Sequence, residues 1–235
     1  VKVMEDYGGG NVQSILAGLQ WVINNRDTDW GNNASSRGIQ VVSMSFGRGD
    51  ISGGGESDNG TSAEANLVNQ ASENGLVCIA AIGNDGDNRV NSVGAADTSI
   101  TVGWLDDKNT IDRDDDSLSS NSNYGPRIDD GDGDSWDEMK PWVVAPGSNI
   151  NSARHAESTS IIPGSEVNRA SDEYTSKSGS SMSTPAVAGL VAIMLEIGED
   201  RNMEFMEEDE PGLERYEGIR SLLAGGSEFR DGWSI

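Results

Sequence analysis

The run Ser178-Gly179-Ser180-Ser181-Met182-Ser183-Thr184-Pro185-Ala186-Val187-Ala188-Gly189 joins a hydroxyl to a preceding glycine and a following stretch of small helix formers. That order sets a serine at a helix N-terminus. There the unpaired N–H groups and the positive end of the helix dipole favour developing negative charge. Pro185 falls early in the helix, where a missing N–H costs little. Alone, a serine in that place is first a helix cap. A second segment, Ala80-Ala81-Ile82-Gly83-Asn84, ends an apolar strand on an amide side chain. Parallel α/β sheets bind ligands at the carboxyl ends of their strands. An asparagine there has an N–H to offer an oxyanion, and its plain alternative is a turn former beside glycine.

These residues need elements to hold them. Residues 1–4 read as a buried strand broken by Gly8-Gly9-Gly10, and Asn11 caps an amphipathic helix running through Ile23. Further strands are expected at 39–46, 76–82, 93–95, 100–104 and 142–145. Helices are expected at 61–73, ended by Asn74-Gly75, at about 181–199, and at 213–223. Strands alternating with helices predict an α/β fold with a parallel sheet and helices on its faces. Three acidic, Gly/Ser-rich stretches, 47–60, 106–137 and 152–178, lack periodicity and read as surface loops. There is no internal repeat.

With 235 residues the prior is one domain or a piece of one, and 34% hydrophobic residues suffice for a core. Sixteen Lys and Arg face 40 Asp and Glu, a net charge of −24. Such a field repels phosphate backbones and argues against nucleic-acid binding. A low-lysine acidic surface suits strong salt, and it equally suits an ordinary acidic secreted protein. No membrane span is expected, because no stretch approaches about 20 uncharged apolar residues. The single cysteine, Cys78, reads as a buried core residue and excludes an intrachain disulfide framework.

Together with Val41-Val42-Ser43-Met44-Ser45-Phe46-Gly47 and Lys140-Pro141-Trp142-Val143-Val144-Ala145-Pro146-Gly147, these segments make the chain resemble the subtilisin-like serine proteases, the subtilases, over residues 1–199. Residues 200–235 form an acidic, then helical, carboxyl-terminal part. The resemblance implies a three-layer parallel sheet with helices on both faces, incomplete at its N-terminus. It implies a serine endopeptidase acting on polypeptides, with Ser181 as acylating nucleophile and Asn84 as oxyanion donor. Gly8, Gly9 and Gly10 match the edge along which such enzymes lay an extended substrate. Ser45, Phe46 and Gly47 match the opposite edge. With Ala81, Ile82 and Gly83 they match the walls of the pocket before the scissile bond, and the size of those walls suggests an apolar preference. Secretion and a folding propeptide follow from the family as expectations.

The chain also departs from the family. Ser180 stands where threonine is usual, so two serines compete, and register against Met182, Thr184 and Pro185 favours Ser181. The family's Asp and His motifs precede the Val-Lys-Val strand, and neither is in this sequence. His155, the one histidine, lies in the 152–178 loop and reads as an ordinary surface residue. Without a base, a serine hydroxyl is a poor nucleophile. The expectation is therefore a fragment, inactive by itself and loosely folded or aggregating when alone; the alternative is a non-catalytic subtilase relative that binds peptides. The chemistry needs no cofactor. Asp130, Asp132 and Asp134 alternate in a flexible loop and suit a structural Ca²⁺.

Overall fold

A strand buried on both faces needs apolar side chains at every position, and β2 (Val77–Ala81) supplies them. Val77 and Ile79 point into one core with α3 (Ser180–Asp200) and α4 (Leu213–Gly226). Cys78 and Ala80 point into a second core with α1 (Val12–Asn24) and α2 (Ala63–Glu73). The computed structural model describes residues 1–4, 9–31, 38–47, 57–153, 174–203 and 212–228. Within them, β1 (Val41–Met44), β2 and β3 (Ile100–Asp106) run parallel in that order. The short β4 (Ser117–Leu118) pairs antiparallel with the end of β3, and β5 (Val143–Pro146) pairs parallel with it. β6 (Ile150–Ala153) and β7 (Tyr174–Lys177) form a separate antiparallel ribbon. The layers are helix, sheet, helix.

The caps are those the sequence calls for. Asn11 Oδ1 accepts from the Ser14 N–H at 2.9 Å, and Ser62 Oγ from the Ala65 N–H at 3.3 Å. Asn74 closes α2. Cys78 is fully buried, and burial pushes its thiol up to about 12, so it is an inert core residue.

Two expectations need correction. Residues 93–95 are not a strand, because Asn91 Oδ1 accepts from the Gly94 N–H at 2.9 Å and winds the segment into a turn. Among the described residues, 1–4 make a single bridge, Met4 to Gly10, and pair with no described strand. By length and composition alone, α3 is also apolar enough to cross a membrane. Here it packs Val187, Val191 and Leu195 against the sheet.

Beneath the β3–β5 pair, Lys140 is fully buried. Its ammonium donates to the carbonyls of Ala96 at 2.8 Å and Ser99 at 3.1 Å, tying the entry to β5 to the turn before β3. Burial, helped by the nearby Arg127, brings its pKa down to about 7 from 10.5. Among the described strands β1 pairs only with β2, and its other edge is open. An apolar groove of about 250 Å³ runs between that edge and residues 1–3, lined by Val1, Val3, Leu19, Val41, Val42 and Met44. On α3, Leu190, Ile193 and Ile197 are also exposed.

Two outcomes follow. An open strand edge beside an apolar groove invites pairing between copies. Light scattering on the 235-residue chain should therefore show concentration-dependent association, reduced by Ser43→Lys on the open strand; equal scattering from both proteins contradicts this. For Lys140, the unfolded chain holds a proton that the folded chain has released, between about pH 7 and 10.5. Stability should therefore rise with pH across that window, by up to about 1.4 kcal/mol per unit. Denaturant unfolding of Lys140→Met should lack this slope; an unchanged slope contradicts the assignment.

Candidate active site

Helix α3 starts without a cap of its own. Gly179 occupies the N-cap position with no side chain to offer, and at φ +146° it holds a conformation that favours glycine. A Cβ at this position would stand 3.2 Å from Asn84 Oδ1. The cap comes from β2 instead. Asn84 Oδ1 accepts from the Ser180 N–H at 2.7 Å and from the Ser180 hydroxyl at 2.9 Å. The amide is thus oriented, and its Nδ2–H₂ group is left unpaired among the described residues. Asn84 itself is exposed.

The turn that delivers Asn84 is clasped by Asn123. Its Oδ1 accepts from the N–H groups of Asp85 at 2.6 Å and Gly86 at 3.0 Å, while its own N–H donates to Gly83 O at 3.2 Å. Gly83, at φ +124°, lets the Asn123 side chain lie against the backbone. Nothing in the sequence pointed to Asn123, because it lies 39 residues beyond Asn84 in a stretch without periodicity.

The two competing serines have different surroundings. Ser180 is fully buried, its hydroxyl used by Asn84 and Gly83. Ser181 is half-exposed, and its hydroxyl lies 3.5 Å from the Ser45 carbonyl, at the long limit of a hydrogen bond. Pro185 then has a consequence. In a helix the Ser181 carbonyl should accept from residue 185, and proline has no N–H to give. The Ser45 hydroxyl donates to that carbonyl at 2.9 Å, replacing the lost bond and tying the end of β1 to the start of α3. From the other side, the Gly179 N–H donates to Gly147 O at 2.9 Å and the Ser183 hydroxyl to Ala145 O at 2.8 Å. Three strand ends thus converge on one helix N-terminus.

The remaining expected residues are spread around this point. Phe46 and Gly47 are half-buried after β1, and Ala81 is buried at the end of β2. Ile82 is fully buried and turned inward against Val90 and Ala95, so it offers a pocket its backbone only. Gly9 is half-buried and Gly10 is bridged to Met4. Gly8 and His155 lie outside the described residues.

The carboxylates group differently from their order in sequence. Asp130 and Asp132 belong to separate three-carboxylate groups, with Asp129 and Glu138 and with Asp137 and Glu138; Asp130 also joins a third group with Asp97 and Asp137. Asp134 is in none of them; it is exposed and accepts from the Trp136 N–H at 2.9 Å. The buried guanidinium of Arg127 lies 2.9, 3.2 and 2.7 Å from Asp97, Asp130 and Asp137 and donates to Asn59 O. Burial outweighs the pull of Arg127 on Asp137 and raises its carboxyl to about 6. Burial and the surrounding carboxylates also raise Glu138.

The sequence model of the subtilase family matches residues 1–223. The chain is similar to the serine protease AprX of Bacillus subtilis (strain 168), 31% identical over 210 residues, covering 88% of this chain and 44% of the relative. It is 34% identical over 199 residues to proteinase R of Parengyodontium album, covering 84% of this chain and 38% of the relative. It thus spans less than half the length of these two relatives. Among solved structures, sphericase matches with a TM-score of 0.61 at 24% identity, over 95% of this chain and 58% of that one. The S41 psychrophilic protease matches with a TM-score of 0.62 at 23% identity, over 95% and 58%. The helix-sheet-helix layering is the fold of these structures. By its sequence over nearly its whole length, this chain belongs to the subtilase family.

Proposed function

We propose that this chain is the nucleophile-bearing part of a secreted subtilisin-like endopeptidase, with Ser181 as the acylating residue and Asn84 as the oxyanion donor. The observation that carries the reading is the division of labour at the start of α3. Asn84 Oδ1 is occupied by Ser180, so the amide presents its N–H groups outward, while Ser181 keeps a hydroxyl with no strong partner. The Ser181 oxygen attacks the peptide carbonyl, and the oxyanion takes hydrogen bonds from Asn84 Nδ2 and the Ser181 N–H. The amine then leaves, and water releases the acyl group. No step of this acyl transfer calls on a metal.

The base that takes the Ser181 proton is not supplied by the described residues. The unpaired edge of β1 supports a reading in which it enters there. In the subtilase fold the strand carrying the catalytic Asp lies inside the sheet, and the groove between β1 and residues 1–3 is apolar and bordered by an unpaired strand edge. An upstream Asp- and His-bearing segment in that groove completes both the sheet and the triad. Extended polypeptide is the substrate that the glycine edge at Gly9 and Gly10 and the segment Ser45–Gly47 would receive as an added strand.

The test uses the protein with its upstream segment in place and a serine-directed fluorophosphonate. Ser181→Ala should abolish both labelling and turnover, whereas Ser180→Ala keeps the label and loses rate by disturbing Asn84. Asn84→Ala should lower kcat by about 10²–10³ with little change in KM, the size measured for the matching donor in subtilisin itself. Labelling at Ser180, or an Asn84→Ala enzyme of full rate, contradicts the assignment.

A further inference from the structure

We propose that Asn123 is a positioning residue for the oxyanion donor, holding Asn84 at the place and angle the acyl transfer needs. The proposal rests on Asn84 being that donor and adds what fixes it there. Among the described residues, the backbone of Asn84 makes no hydrogen bond of its own, so its place is set through its neighbours on either side. One residue holds both. The Asn123 N–H donates to Gly83 O at 3.2 Å, and Asn123 Oδ1 accepts from the N–H groups of Asp85 at 2.6 Å and Gly86 at 3.0 Å. Its Nδ2 donates to Asp85 Oδ2 at 3.2 Å, so the side-chain amide is used at both ends. At 4% exposed, Asn123 is shielded from competing water.

The turn is shaped to admit this residue. Gly83 is at φ +124° and Gly86 at φ +73°, and a Cβ on either would collide, with Asn123 Nδ2 and with Ser120 O respectively. The two glycines flanking Asn84 are what lets segment 120–123 press against the turn. That segment is itself tied to β3. The Ser119 N–H donates to Trp104 O at 3.0 Å, and Ser122 Oγ accepts from the Trp104 N–H at 3.0 Å. Asn84 is therefore referenced to β3 through Asn123 as well as to α3 through Ser180.

The two ties do different things. Ser180 holds only the Oδ1 end of the Asn84 amide, whereas Asn123 holds the backbone that carries it. An oxyanion donor acts only at hydrogen-bond distance from the transition-state oxygen, and a displacement near 1 Å can cost about 100-fold. A ground-state carbonyl asks less of the same donor, so a loosened turn lowers kcat and leaves KM nearly alone.

The test uses the protein with its upstream segment in place, with kcat counted per site labelled by the fluorophosphonate. That count removes any loss that is only loss of folded enzyme. Asn123→Ala should lower kcat about 10-fold or more with KM nearly unchanged. In an Asn84→Ala background the same change should cost less than about twofold, because the residue it acts through is gone. Asn123→Asp keeps the acceptor for both N–H groups but sets a second carboxylate against Asp85, and it should lose part of the rate. Adding Asp85→Asn reverses that donor and acceptor pair at constant net charge, while Arg89 keeps Asp87 at 2.9 Å. The double variant should return to within about threefold of the parent kcat. This arm decides the matter by itself if Asn123→Ala does not fold. Equal losses from Asn123→Ala with and without Asn84, a loss confined to KM or to the number of labelled sites, or a double variant no faster than Asn123→Asp overturns the positioning role and leaves Asn84 as the donor. An Asn84→Ala enzyme of full rate overturns both together.

Discussion

The rest of the site depends on a helix being capped by a residue from another element. Gly179 leaves the first N–H groups of α3 without a local acceptor, and Asn84, at the end of β2, provides one. The same bond does two jobs. It satisfies a donor that would otherwise be orphaned, and it orients the amide so that only its N–H side faces out. A carboxylate at 84 could cap the helix, but it would place negative charge where the proposed reaction develops an oxyanion. An alanine would leave the Ser180 N–H unmet. Glycine at 179 and asparagine at 84 are thus one choice made at two positions.

Around that bond the sheet acts as a frame. β1 reaches the helix start through Ser45, β2 through Asn84, and β5 through Ala145 and Gly147. Each contact ends on a backbone atom or a short side chain, so positions are set by strand register rather than by flexible side chains. The missing amide at Pro185 is part of the same arrangement, because it frees the Ser181 carbonyl for Ser45. The layers behind the frame are ordinary α/β packing, with β2 alternating its side chains between two cores. Among the described residues the outer edge of β1 is unpaired, and its apolar groove lies on the side from which the proposed reading brings a base.

Most of this architecture was legible in the sequence. The continuous apolar run of β2, the caps at Asn11 and Ser62 and the small-residue pattern of α3 each declare their structure locally. The meeting of the Asn84 turn with the start of α3 was legible because strand-end and helix-start geometry constrains both and because the motifs around them resemble a family. What escaped was long-range. The segment at 93–95 reads as a strand by its side chains, but Asn91 bonds to its backbone and winds it into a turn. Ile82 looks like a pocket wall by its size, yet its strand parity sends it inward. The carboxylates at 130, 132 and 134 are evenly spaced along the chain, whereas the fold turns Asp134 outward and brings Asp137 and Glu138 together. Asn123, the clasp of the Asn84 turn, is an undistinguished loop residue until the two segments meet.

The central claim is that Ser181 and Asn84 are a working half-site waiting for a base at the β1 edge. Its most direct test is peptide hydrolysis by residues 1–235 alone and by the same chain joined to the coding segment upstream of Val1, each against its Ser181→Ala control. The account predicts no turnover above the control for the chain alone. Joined to its upstream segment, it should show clear turnover that depends on Ser181. Ser181-dependent hydrolysis by residues 1–235 alone, or an upstream segment that restores none, would contradict it.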